Sequence, residues 1–213
     1  MLLYTFMIEP IFTPLNRAAL AGINETDPVA MMLARDRALL HRAVNLAIES
    51  AFSHSKDVPV GAVAAAGDSV VGRYFASDKR LGYGYAHAEN MAVTDARVGN
   101  INLGTPMPDT VVVTLEPCNN CQDFLATIPS IKRVGFGLPR SAAEERGILK
   151  RHHETIFQRA LRVGLPYEIV QIDDPALNEV GGIILDHMSR DPQIESLTID
   201  VCGLQQSLVA LQQ

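Results

Sequence analysis

Two short segments constrain this chain more than any other feature: His87-Ala88-Glu89 and Glu116-Pro117-Cys118-Asn119-Asn120-Cys121. The first carries an imidazole and a carboxylate two positions apart, and the second carries two thiols at chelate spacing. One imidazole and two thiolates make a three-ligand zinc site whose fourth tetrahedral position stays open to water, the mark of a catalytic rather than a structural ion. The arrangement requires each segment to open a helix. Cys118 and Cys121 then lie one turn apart on one face, and the partial positive charge of a helix N-terminus favours thiolates. Glu89 points away from the His87 direction on such a helix, which leaves it beside the water as a proton shuttle. A Cys-x-x-Cys alone reads equally as a redox pair, and a lone histidine as a core or surface residue. The combination is what points to Zn2+ held by His87, Cys118 and Cys121.

A chain of 213 residues, 47% hydrophobic and 20% charged, fits one domain with modest extensions and a core that needs no disulfides. Two of its three cysteines belong to the metal motif, so Cys202 stands alone and a reducing cytoplasm fits best. Met1 to Ile8 is mostly apolar, but Glu9 and Pro10 interrupt it and no basic residue precedes Arg17. That pattern is neither a secretory signal nor a spanning helix, so no membrane partner is expected. A net charge of -6 weighs against a large nucleic-acid surface and leaves room for a local one.

Leu40, Ala43, Val44, Ala47, Ile48 and Ala51 recur at helical intervals and predict a helix from about Met31 to His54. Val58–Ala66 and Ser69–Phe75, joined by Gly67-Asp68, predict a hairpin. The small residues Gly61, Ala62, Ala64 and Ala65 either admit a ligand or the metal helices closely, or simply fit a helix to the sheet. The segment from Ala76 to Ala86 delivers His87. Its Tyr83 and Tyr85 are either base-stacking rings or incidental aromatics of a solvated loop. Helices follow from His87 to about Val98 and from Cys118 to about Ile128, and strands at Val111–Leu115, Ile131–Leu138 and Tyr167–Ile172. The connection between the last two strands, with a helix expected from about Glu144 to Arg162, is long enough for a parallel crossover. A final helix spans about Pro175 to Met188, and the tail after Asp191 is expected to turn helical from Leu204.

From about Arg37 to about Arg190 the chain resembles the zinc-dependent cytidine/deoxycytidylate deaminase-like superfamily, whose pattern joins His-x-Glu to Pro-Cys-x-x-Cys. The nearest branch is that of tRNA adenosine deaminases and free-base deaminases. Val58-Pro59-Val60-Gly61-Ala62-Val63, Thr114-Leu115-Glu116 and Arg133-Val134-Gly135-Phe136-Gly137 carry the likeness beyond the metal segments. The resemblance implies an α/β, three-layer α-β-α fold with a five-stranded mixed sheet flanked by helices. It divides the chain into an N-terminal extension (1–30), a deaminase domain (31–190) and a C-terminal extension (191–213). With the apolar terminal segments, it also implies a homodimer.

The activity implied is hydrolytic removal of the exocyclic amine of a nucleobase, nucleoside or related heterocycle. Glu89 would carry the proton, and backbone groups around Ala88 and Cys118 would orient the substrate. One departure matters: tRNA adenosine deaminases place a base-contacting asparagine four residues after a glycine of the second strand, and counting from Gly72 this chain has Ala76. Loss of a buried amide changes discrimination by orders of magnitude, so the identity of the base does not carry over. Three readings stay open. The first is a small-base or nucleoside deaminase, and the second a tRNA wobble adenosine deaminase. Lys132, Arg133, Arg140, Arg146, Lys150, Arg151, Arg159 and Arg162 either supply the second with phosphate contacts or simply form a solvated helix face. The third is a catalytically silent zinc scaffold, against which the intact Glu89 speaks.

Overall fold

Asp27 and Pro28 start the first helix, three residues earlier than the apolar periodicity alone suggests. The Asp27 carboxylate accepts the N–H groups of Val29 (2.9 Å) and Ala30 (3.3 Å), an N-cap followed by the proline favoured at the first helical position. The computed structural model describes residues 9–10, 26–52, 58–76, 86–150 and 154–189. They form helices α1 (Pro28–Phe52), α2 (Ala88–Leu103), α3 (Asn119–Ala126), α4 (Ser141–Glu145), α5 (Ile156–Val163) and α6 (Pro175–Ser189). The strands are β1 (Glu9–Pro10), β2 (Gly61–Ala66), β3 (Ser69–Phe75), β4 (Thr110–Leu115), β5 (Arg133–Leu138) and β6 (Glu168–Gln171). The Tyr83 and Tyr85 loop, Arg151, the C-terminal tail with Cys202, and all of the N-terminal extension except 9–10 and 26–30 lie outside the described residues.

The sheet runs β1-β3-β2-β4-β5-β6. β2 pairs antiparallel with β3 and with β4, while β4 with β5 and β5 with β6 run parallel. The expected five-stranded mixed sheet is therefore present. β1 adds a two-residue antiparallel edge beside β3, from within the segment read as an extension. The connection from β5 to β6 is the crossover expected of a parallel pair, but it is not one helix. Gly147 adopts φ +70° just after α4, and Thr155 opens α5 with a capping box: its hydroxyl accepts the Gln158 N–H while Gln158 Oε1 accepts the Thr155 N–H. A left-handed stop followed by a new cap splits the helix expected over 144–162.

Alternation along β2 distributes side chains to two cores. Val63 and Ala65 join Leu39, Ala43, Val44 and Ala47 of α1 and Leu177, Val180 and Ile184 of α6 on one side. Ala62 and Ala64 join Ala88, Ala92, Val93 and Ala96 of α2 with Leu125, Ile131, Phe136 and Ile156 on the other. β4 is buried on both faces, as suits a central strand. One buried ion pair ties α1 to the parallel half of the sheet. Arg133 Nη2 lies 2.6 Å from Asp36 Oδ2 and its Nε 3.3 Å from Oδ1, and Arg133 also pairs with Glu168 on β6.

Two glycines set how closely helices sit on the sheet, one per face. A Cβ on Gly61 would stand 2.0 Å from the Ala43 carbonyl oxygen of α1, and one on Gly72 2.1 Å from that of Ala92 in α2. The small residues thus serve helix-to-sheet contact, and on the α2 side that helix carries Glu89. Gly72→Ala must push α2 outward, with an overpacking penalty of at least about 1–3 kcal/mol. A denaturation midpoint equal to that of the parent protein would contradict this close approach.

Candidate active site

His87 and Cys118 are the N-cap residues of α2 and α3, both with extended backbone (φ -65°, ψ 146° and φ -68°, ψ 163°). Neither side chain caps its own helix; they turn toward each other instead. Cys118 Sγ lies 3.5 Å from His87 Nδ1, Cys121 Sγ lies 3.2 Å from the same nitrogen, and the two sulfurs are 3.4 Å apart. All three ligand atoms fall within 4.8 Å of one another. One ion bonded at about 2.0–2.3 Å reaches all three, and a set of two sulfurs and one imidazole nitrogen suits zinc rather than the oxygen-seeking cations. The residues present fit the group.

Glu89 sits in the first turn of α2 and is buried. Burial pushes its carboxyl up to about 7, while its own backbone N–H and a hydrogen bond with Cys121 pull the other way. The hydrogen bond from the Cys121 thiol depresses Cys118 to about 4 and correspondingly raises Cys121. Each sulfur thus has a partner that a bound cation replaces, because a metal ligand must shed its proton.

These groups open onto a cavity of about 240 Å³ lined by His87, Ala88, Glu89 and Cys118, with Val58, Val60, Ala76, Leu115 and Leu149 as apolar wall and Glu116 and Arg140 as further charged residues. Ala88, expected to offer backbone to a substrate, is in that lining. Ala76 is there too, its methyl standing where the resemblance expects an amide, and its N–H is spent on the Val60 carbonyl at 2.8 Å.

Glu116 and Arg140 are the residues whose roles the sequence did not reveal. The buried Glu116 carboxylate accepts the backbone N–H of Arg140 (2.9 Å) and of Ile156 (2.6 Å), while the Glu116 N–H donates to the Leu138 carbonyl (2.8 Å). It therefore joins the start of the Cys118 loop to the end of β5 and to the first turn of α5. Gln122 completes the clasp by donating from Nε2 to the Pro117 carbonyl at 2.7 Å. The signal for Glu116 was its place beside Pro117, between a strand and a helix. For Arg140 the i,i+4 spacing to Glu144 was a local signal of a pair, but its place on the cavity comes from the fold.

Residues 33–138 match the model of the cytidine and deoxycytidylate deaminase zinc-binding region. This stretch belongs to that family. The match and the His87, Cys118 and Cys121 group indicate a hydrolytic deaminase with zinc as its cofactor. Among solved structures it is similar to a tRNA:A34 deaminase of A-to-I editing (20% identity, TM-score 0.52, covering 68% of this chain and 97% of that one). It is also similar to a guanine deaminase from Nitrosomonas europaea (13%, TM-score 0.58, 71% and 83%). A third is the diaminohydroxyphosphoribosylaminopyrimidine deaminase/5-amino-6-(5-phosphoribosylamino)uracil reductase of Thermotoga maritima (20%, TM-score 0.52, 72% and 41%). At these identities the likeness is one of fold. No curated protein matches the chain by sequence. Among the described residues no helix is long and apolar enough to cross a membrane.

Removing the Glu116 carboxylate orphans two backbone donors, each worth about 1–3 kcal/mol when buried without a partner. Glu116→Ala is therefore expected to lower the denaturation midpoint markedly, with Glu116→Gln, which keeps one acceptor, falling between. Equal midpoints for all three proteins would show the clasp to be dispensable.

Proposed function

We propose that the chain deaminates a small aminated heterocycle, a nucleobase or nucleoside, by hydrolysis at the cavity between α2 and α3. The observation that carries this reading is that Glu89, His87 and Cys118 line one cavity with an apolar wall, a setting for a flat ring with its amine at the metal side. His87, Cys118 and Cys121 hold the zinc in this reading. Zinc, when bound, is a Lewis acid that makes hydroxide available near neutral pH. Glu89 would take one proton from the attacking water and deliver it to the ring nitrogen, then take the second from the hydroxyl added to the ring carbon and pass it to the departing amine, so it must both accept and release a proton near neutrality. Ala88 offers backbone to the ring, and the apolar wall excludes bulk water. The unit performing this would span 31–190, with 1–30 and 191–213 as extensions, in a cytoplasmic homodimer. Exposed Ile101, Leu103 and Leu161 are candidates for the contact between its copies.

The fate of the basic stretch favours a small ligand over a polynucleotide. Arg133 is paired with Asp36 and Glu168, Arg140 with Glu144, Arg146 with Asp186, Arg159 with Asp123 and Arg162 with Glu154. Lys132 donates to the Pro129 carbonyl. Cations already neutralised by carboxylates release few counterions on meeting phosphate.

The test is ammonia release by the zinc-loaded protein from free bases, nucleosides, nucleotides and a tRNA anticodon stem. Turnover confined to the tRNA stem would replace the small-molecule reading, and no release from any of them would leave a scaffold. Two variants check the assignments. Cys118→Ala is expected to lose most of its zinc by metal analysis, and stoichiometric retention would remove Cys118 from the ligand set. Glu89→Ala is expected to keep zinc and fold while turnover drops about a hundred- to ten-thousand-fold; activity within a few-fold of the parent would rule Glu89 out as proton carrier.

A further inference from the structure

Among the described residues the cavity contains few groups able to recognise a substrate, and elimination narrows them to one side chain. Of the lining residues, Val58, Val60, Ala76, Ala88, Leu115 and Leu149 have no polar side-chain atoms. His87 and Cys118 belong to the proposed ligand set and Glu89 to the proposed proton path. Both carboxylate oxygens of Glu116 are occupied by backbone N–H groups, at 2.9 Å and 2.6 Å. That leaves Arg140.

Arg140 is held in place from two directions. Its backbone N–H is bound by Glu116, and its Nε lies 3.2 Å from Glu144 Oε1, one helical turn on. The guanidinium is largely buried, at 18% exposure, and its terminal nitrogens have no hydrogen-bond partner among the described residues. A guanidinium offers five N–H donors and no acceptor. Glu144 pairs with Nε and leaves the terminal donors available, and the Glu116 carboxylate stands in the same lining. Such a surface disfavours an anionic ligand and favours a neutral one with an exposed acceptor.

We propose that Arg140 is the substrate-reading residue of this site, donating to the carbonyl oxygen of a neutral amino-oxo heterocycle. This narrows the substrate class of the deaminase reading and takes from that reading the location of the site. Ala76 fits the same picture. An amide could both give and accept hydrogen bonds along a base edge, whereas a methyl wall opposite a pure donor accepts only rings whose polarity is concentrated in an acceptor. A site built around such a bond rejects the analogue lacking it, because the donor is then left unpaired.

The experiment compares cytosine with 4-aminopyrimidine, which lacks the carbonyl oxygen, and guanine with 2-aminopurine, which lacks it likewise. Dissociation constants are measured by calorimetry on the zinc-loaded parent, Arg140→Gln and Glu144→Gln, with zinc content checked in each. In the parent at least one oxo compound is expected to bind about 10- to 100-fold more tightly than its partner, the range of one hydrogen bond to a charged group. In Arg140→Gln that ratio is expected to fall several-fold. Glu144→Gln, which retains the guanidinium, is expected to keep it. If Arg140 served only to anchor Glu144, its loss would weaken both members of a pair alike and leave the ratio unchanged, which would overturn the proposal. A parent that binds neither pair, or shows no preference, would overturn it too. Ammonia release is scored separately: selective binding without turnover would sink the deaminase reading alone, and turnover with an Arg140-independent ratio would sink this inference alone.

Discussion

The site depends on two helix N-termini meeting over one end of the sheet. Three ligand atoms within 4.8 Å leave little tolerance, and they come from positions 31 and 3 residues apart. The short spacing is guaranteed by one turn of α3. The long one is a tertiary distance, fixed only if α2 and α3 are each held to the sheet. Gly72 lets the α2 backbone reach β3, and Glu116 fixes the Cys118 loop to β5 and α5. A helix held at its buried face and free at its N-cap can offer that cap residue's side chain to a ligand. His87 and Cys118 do this, and neither side chain makes a capping bond to its own helix.

Much of this was legible in the sequence because it is local. The spacing of Cys118 and Cys121 and the two-residue offset of Glu89 from His87 are one-turn relations, so the sequence alone brings the site's chemistry together. Strands β2 to β5 were legible as apolar runs bounded by turns, and the parallel pairing followed from connection length. The split between α4 and α5 was only half legible: Thr155 and Gln158 have capping-box spacing, but basic and apolar residues continue across Gly147 and only a positive φ there reveals the stop. The fate of the basic stretch was equally hidden. Its arginines look like a charged face in one dimension, yet Asp36, Asp123 and Asp186 come from three other helices to pair with them. Charge counted along a segment says little when the partners are distant in sequence.

Chemistry and recognition have separate supports in this fold. The proposed metal ligands and Glu89 stand on the first turns of α2 and α3, elements packed over the sheet through a continuous core of alanine, valine and leucine. Arg140 and Leu149 stand on the connection between β5 and α5, whose small apolar cluster of Leu115, Ala143 and Leu185 is distinct from the two main cores. Among the described residues Glu116 is bonded to both, through its backbone place before Cys118 and through its carboxylate on Arg140. In the proposed reading a substitution at Arg140 alters which ring is read while the ligand atoms keep their positions, whereas a change at Glu116 moves both at once. In the proposed reading the groups that discriminate among heterocycles stand on the β5–α5 connection, apart from the helices that carry the ligand atoms.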